Sequence, residues 1–90
     1  MIKITTILPK DTESYLGKVT GLITSVIITN ISESEEAVVK IYTDDIIVWL
    51  GTIKNNSSVR IPLEVMMNEP IKAKSTQENT NIILNIIETN

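Results

Sequence analysis

The chain has 90 residues, a formal net charge of −3 and no His, Cys or Phe. That length is one domain over residues 1–90, with no room for a second core. The missing side chains remove the commonest general base, the commonest metal ligand and the most nucleophilic group, and with no Cys there is no disulfide to need an oxidising compartment.

Thirty-five residues are Ile, Val or Thr and only two are Ala. β-Branched side chains are stiff at χ1 and fit a pleated sheet better than a helix. The composition therefore predicts an all-β fold: a single small antiparallel β-sandwich, jelly-roll or Ig-like, of six to eight short strands.

Turn signals recur about every ten residues, the spacing of such a fold. Ile2, Ile4, Thr6 and Leu8 alternate with Lys3 and Thr5, predicting a first strand stopped by Pro9. Asp11 to Ser14 reads as a loop. Tyr15 to Ile31 is a long β-forming stretch with Gly17 and Gly21 as expected bends or bulges, and Ser32 to Glu36 is a polar turn. Ala37 to Thr43 places Ala37, Val39 and Ile41 on one face. After the Asp44-Asp45 turn, the unbroken apolar run Ile46 to Leu50 predicts a strand covered on both faces.

Lys54 to Ser58 is a turn. Val59, Ile61 and Leu63 follow with period two, and Pro62 moves that strand toward an edge. Glu64 to Pro70 reads either as a helical turn or as a connection crossing between sheets. Ile71, Ala73 and Ser75 then alternate with Lys72, Lys74 and Thr76. A last strand sets Ile82, Leu84 and Ile86 against Ile83, Asn85 and Ile87, apolar on both sides.

Carboxylates are the only catalytic raw material. Asp44 and Asp45 are adjacent, so in a strand they face opposite sides, and at a turn Asp serves local backbone donors. Glu33, Glu35 and Glu36 lack the spaced ligands and bend-forming Gly of a calcium loop, so a solvated acidic loop is the expected reading. Ser57 and Ser58 have no His to activate them, and Gly17, Gly21 and Gly51 do not make a phosphate loop. No enzyme, catalytic residue, metal or cofactor is expected.

Eight scattered basic residues do not form the clustered face that nucleic acid requires. Lys72 and Lys74 on one strand face read better as protection against sheet-to-sheet aggregation. Three triplets starting at Asn30, Asn55 and Asn56 match the glycan-acceptor pattern, but the N-terminus has neither the basic start nor the apolar core of a secretory signal. No apolar run approaches the roughly 20 residues that span a bilayer. The expected setting is a complete protein made in the cytoplasm, with no membrane partner.

Trp49 is either the large core residue of a chain without Phe or the anchor of a partner contact, since Trp is enriched in interface hot spots. The run around Ile47, the doubly apolar last strand and Met66-Met67 carry more apolar surface than one face of a small sandwich needs. A second burying surface, an oligomer or a docking site, would absorb the excess. Trp49, Ile47, Met66 and Met67 are the expected contact residues.

The order of motifs also carries a family likeness. Leu8-Pro9, Val19-Thr20, Ser25 to Asn30 with Ser32, and Val38 to Tyr42 are followed by Ile61-Pro62-Leu63, Pro70 to Ser75 and Ile83 to Glu88. Over nearly the whole chain this resembles the small β-sandwich virion proteins of tailed bacteriophages. In those proteins a Pro-containing opening leads to a strand ending in a TN-x-S turn, and an I-x-A-x-S element precedes the final strand. One departure is Asn68-Glu69-Pro70, where the family usually has Gly-Asp.

The resemblance implies a non-enzymatic structural protein of a phage particle. Decoration of the outside of the head fits best, in many copies on the major capsid protein or another virion protein, with avidity making up for weak single contacts. Tail, neck or fibre modules share the fold. The rival class is a receptor- or carbohydrate-binding module, for which Tyr15, Tyr42 and Trp49 are the only aromatic rings; all three shielded would leave a sugar without a platform.

Overall fold

Alternation of β-branched residues with polar ones, broken by short polar turns, folds this chain as strands and turns throughout. The computed structural model describes residues 2–89. Six strands follow in order: β1 Ile2–Leu8, β2 Ser14–Asn30, β3 Ala37–Tyr42, β4 Ile47–Ile53, β5 Ser57–Ser75 and β6 Thr80–Glu88. They form one antiparallel sheet in the order β1-β6-β2-β5-β3-β4. The fold class is all-β, as the composition predicts.

Two strands are long rather than short. β2 and β5 run 17 and 19 residues and pair from Asn30↔Ser57 to Ser14↔Ala73. A straight strand the length of β5 would span about 60 Å at roughly 3.3 Å per residue, yet the longest dimension of the protein is 43 Å. The ribbon must therefore bend. Its register slips between Tyr15 and Gly17 and between Ile23 and Ser25, and bulges increase local twist and bend a strand. After the second slip the buried face changes parity, so that Ser25 and Val26 are consecutive and both buried.

The bent ribbon carries the other strands on both of its halves. β6 pairs with β2 over Gly21 to Thr29, and β1 pairs with β6. At the far end β3 pairs with β5 over Lys72 to Ser75, and β4 pairs with β3. Instead of two separate sheets, two strands pass through both halves and the sheet folds over on itself. Leu8 of β1, Ala37 of β3 and Ile53 of β4 consequently share one buried cluster with Ile23, Ile28, Ile71, Ile82 and Leu84. Lys10, just past β1, makes a parallel bridge to Ser75 at the end of β5. Fully burying each such Leu or Ile side chain contributes about 1.5–3 kcal/mol.

Three expectations change. The run Ile46 to Leu50 is not covered on both faces: β4 is an edge strand, starts at Ile47 and leaves Ile46, Ile47 and Leu50 exposed. Unbroken apolarity does not distinguish a buried strand from an edge awaiting cover. Glu64 to Pro70 is neither a helical turn nor a crossing connection. It continues β5, because Val65 and Met67 keep the inward alternation that ends in Ile71 and Ala73. Pro62 and Pro70 lie where β5 has β2 on one side and no described strand on the other, so a missing N–H need not break a ladder. Gly17 sits at the first bulge, whereas Gly21 is needed for another reason: any Cβ there would collide with the carbonyl of Ile87.

Polar side chains close the turns without a disulfide. Asn30, fully buried at the end of β2, donates its amide N–H groups to the carbonyls of Glu35 (2.8 Å), Ile53 (3.2 Å) and Lys54 (3.3 Å). Its Oδ1 accepts the Ser32 N–H at 3.1 Å. One side chain thus joins the β2–β3 loop to the β4–β5 turn. Losing it leaves the buried Ile53 carbonyl unpaired, a cost of about 1–3 kcal/mol, and frees the part-buried partners at Ser32, Glu35 and Lys54. Asn30→Ala should lower the unfolding free energy by about 2–4 kcal/mol in urea titration, whereas Asn55→Ala, in the same β4–β5 turn but losing a single exposed hydrogen bond to the Glu33 carbonyl, should cost about 1 kcal/mol or less.

Candidate functional site

The β3–β4 turn and the strands beside it gather most of the interacting charges. Thr43, just past β3, accepts the N–H groups of Asp45 and Ile46 on its Oγ1, which shapes the turn. Asp44 then lies 2.6 Å from the Lys72 Nζ, which also faces Glu13 at 3.8 Å. The Tyr42 hydroxyl donates to Glu13, and Lys40 places its ammonium 4.6 Å from the centre of the Tyr42 ring. The cross-strand pair Lys40↔Lys74 sets two like charges opposite each other, a repulsion that the π-face of Tyr42 offsets on the Lys40 side.

The charges shift one another. Partial burial, then the hydrogen bond to Glu13 and that carboxylate's negative charge, push the Tyr42 phenol up to about 12. Lys72 is raised chiefly by its bond to Asp44. Glu69 is raised chiefly by sharing a hydrogen bond with Asp45, with Asp45 and Asp44 adding repulsion. Carboxylates thus outnumber cations at this end of β4. Among the described residues no group of three or more Asp or Glu is arranged to hold a metal ion. Glu33, Glu35 and Glu36 lie exposed on the β2–β3 loop, where the Glu35 N–H is held by Ser32 Oγ.

The expected contact residues separate. Ile47 opens β4 and is 56 % exposed. Trp49 is half-buried: part of the indole packs on the core and lies over Gly51, which has no side chain to obstruct it. Trp49 is therefore neither a core residue outright nor a free anchor. Met66 and Met67 are neighbours on β5 and face opposite sides, Met66 outward at 63 % exposure and Met67 into the core at 5 %. Only Met66 of that pair is presented to solvent, in the stretch of β5 paired with β2.

Burial reveals surface residues that pattern reading passed over. Leu50, expected to be covered, is 55 % exposed, and Val38 across the outer face is also exposed. With Lys40 and Lys74 they line a shallow depression of about 240 Å³ on the outside of β5, β3 and β4. The signal for Leu50 is its place in a seven-residue strand without a charge or a proline. Tyr15 is well exposed, so the three aromatic rings are not all shielded. The Asn30 triplet is closed to a glycan in the folded chain, since its amide is buried and hydrogen-bonded.

Both Tyr42 and Lys72 hold their protons more tightly in the fold than their ordinary values of 10.0 and 10.5. A raised group stabilises fully below its unfolded value and loses that contribution as pH rises through the folded one. Melting temperature should therefore hold from pH 8 to about 10 and fall between about 10 and 12. Tyr42→Phe should make that alkaline fall shallower, as read by circular dichroism melts at each pH.

No protein-family model matches the chain, and no curated protein matches it significantly.

Proposed function

We propose that this chain is a non-enzymatic structural protein of a bacteriophage particle, an accessory that binds the outside of the head through the major capsid protein or another virion protein. One observation carries the reading: Ile46, Ile47 and Leu50 are exposed together at an uncharged edge strand. Apolar surface concentrated in this way belongs to a protein that works by contact. The folded-over sheet supports it, since a rigid β scaffold presents such a surface with little ordering left to do on binding. The likeness of the motif order to phage β-sandwich virion proteins supplies the class of particle. In this reading the protein is made in the host cytoplasm and resides in the virion. A neck, tail or fibre position uses the same surface.

A second reading has one observation in its favour. Tyr15 is 64 % exposed, and an exposed ring is what a carbohydrate- or receptor-binding module offers a sugar.

Quantitative mass spectrometry of purified particles from the source phage or lysogen tests the first reading. A copy number within a few-fold of the major capsid protein is the result expected for head decoration. A few to a few dozen copies would move the protein to the neck, tail or fibres. Absence from particles, with glycan binding that Tyr15→Ala abolishes, would replace the virion reading by the sugar-binding one.

A further inference from the structure

The sheet has four unpaired stretches among its described strands, and they are not alike. The outer side of β1 carries Lys3, the stretch of β2 beyond its pairing with β6 carries Lys18, and the one-sided stretch of β5 carries Arg60, Pro62, Glu64, Glu69 and Pro70. Charges and prolines of this kind keep an edge from pairing with another strand. β4, Ile-Val-Trp-Leu-Gly-Thr-Ile, has neither.

The direction of its free backbone groups follows from β3. The Val38 N–H donates to Thr76 Oγ1 and the Val38 carbonyl accepts the Thr76 N–H, so Val38 points away from β4. In an antiparallel ladder alternate residues point to alternate sides. Val39 thus bonds toward its partner Gly51, and Leu50 and Thr52 are left with N–H and C=O directed outward.

The charges flanking this strand are of opposite sign. Asp44 and Asp45 precede it and Lys54 follows it. The described ion pairs are both made by Lys72, so Lys54 has no acidic partner among the described residues. The Asp end, with Glu69 beside it, carries more negative charge than Lys72 alone balances.

We infer that β4 pairs antiparallel with β4 of a second copy of this chain, on a two-fold axis at Leu50. Leu50 then faces Leu50 of the second copy, exchanging two backbone hydrogen bonds. Each Lys54 comes beside the Asp45 end of the other copy, twice over by symmetry. A parallel arrangement would instead put the Asp ends together. The two-fold contact is isologous and closed, and it joins two six-stranded sheets into one. It rests on the reading of this chain as a contact protein, with the second copy as the first partner.

Sedimentation velocity of the full chain over a range of concentrations tests it, with circular dichroism to confirm that each variant is folded. The expected result is a species of twice the 10.0 kDa chain mass that weakens as salt is raised. Leu50→Lys and Lys54→Asp should each shift it toward monomer, and Asp45→Lys combined with Lys54→Asp should restore it. Ile7→Lys, at an exposed position on β1, should leave it intact. A monomer at all concentrations, a dimer indifferent to Leu50→Lys, or a double swap that fails to restore association would each overturn the pairing. The outcomes separate from those of the particle measurement. A monomer that is abundant on particles removes the edge pairing and keeps the contact role, whereas a dimer absent from particles does the reverse.

Discussion

Everything in this fold hangs on the antiparallel pairing of β2 with β5. The ladder runs nearly the full length of both strands, and every other strand reaches the sheet through one of them. A ribbon that long must coil to bury one face, and the two register slips allow it to do so while its inward residues stay inward. The bend also sets the close approaches. Gly21 lets the backbone of β6 come close where a side chain would collide with Ile87, and Ile4 of β1 reaches the surface of Gly17.

Polar groups fix what the ribbon leaves open. Ser75 and Thr80 are both buried, 2.7 Å apart through their hydroxyls, and they hold the β5–β6 turn together with the Gln77 backbone. Asn30 does the same for the opposite loops. Along the ribbon's outer face Thr20 donates to Asn68, and Thr29 bonds Ser58 at 2.8 Å. Buried groups of this kind are costly if left unpaired, so they favour one arrangement of the turns over its neighbours. For a small domain without a disulfide, that selectivity matters as much as the aliphatic core.

Exposed apolar side chains are the consequence of an isoleucine-rich sequence folded into a sheet with free edges. On β5 charged residues and prolines interrupt them. On β4 they stand together beside a half-buried indole, with opposite charges at the two ends of the strand. The same feature supports both a surface-contact function and the self-pairing of the edge, because a strand with outward N–H and C=O groups and no repelling charge is a template for another strand. The charged cluster around Lys72 lies next to this edge and shapes its start through the β3–β4 turn.

Local chemistry made much of the fold legible. Alternation located β1, β3, the inward face of β6 and the Ile71 to Ser75 segment, while turn residues located the loops, since side-chain direction in a strand depends only on position. Ile46 to Leu50 and Glu64 to Pro70 were not legible for a shared reason: a strand's partners are set by residues far away in the chain. Apolarity cannot say whether a neighbour lies on one side or both, and Pro62 marked an edge without showing that the strand continues past it to Ser75. Of the contact residues, Ile47 and Met66 are placed outward, Met67 inward and Trp49 between, which depends on where the sheet folds over. The sequence by itself determined that this protein is a β domain with apolar residues to spare, because β-branched composition and period two act within a few residues. Only the tertiary structure decided which of those residues stay in water, because exposure depends on long-range strand order and on the bend of one ribbon.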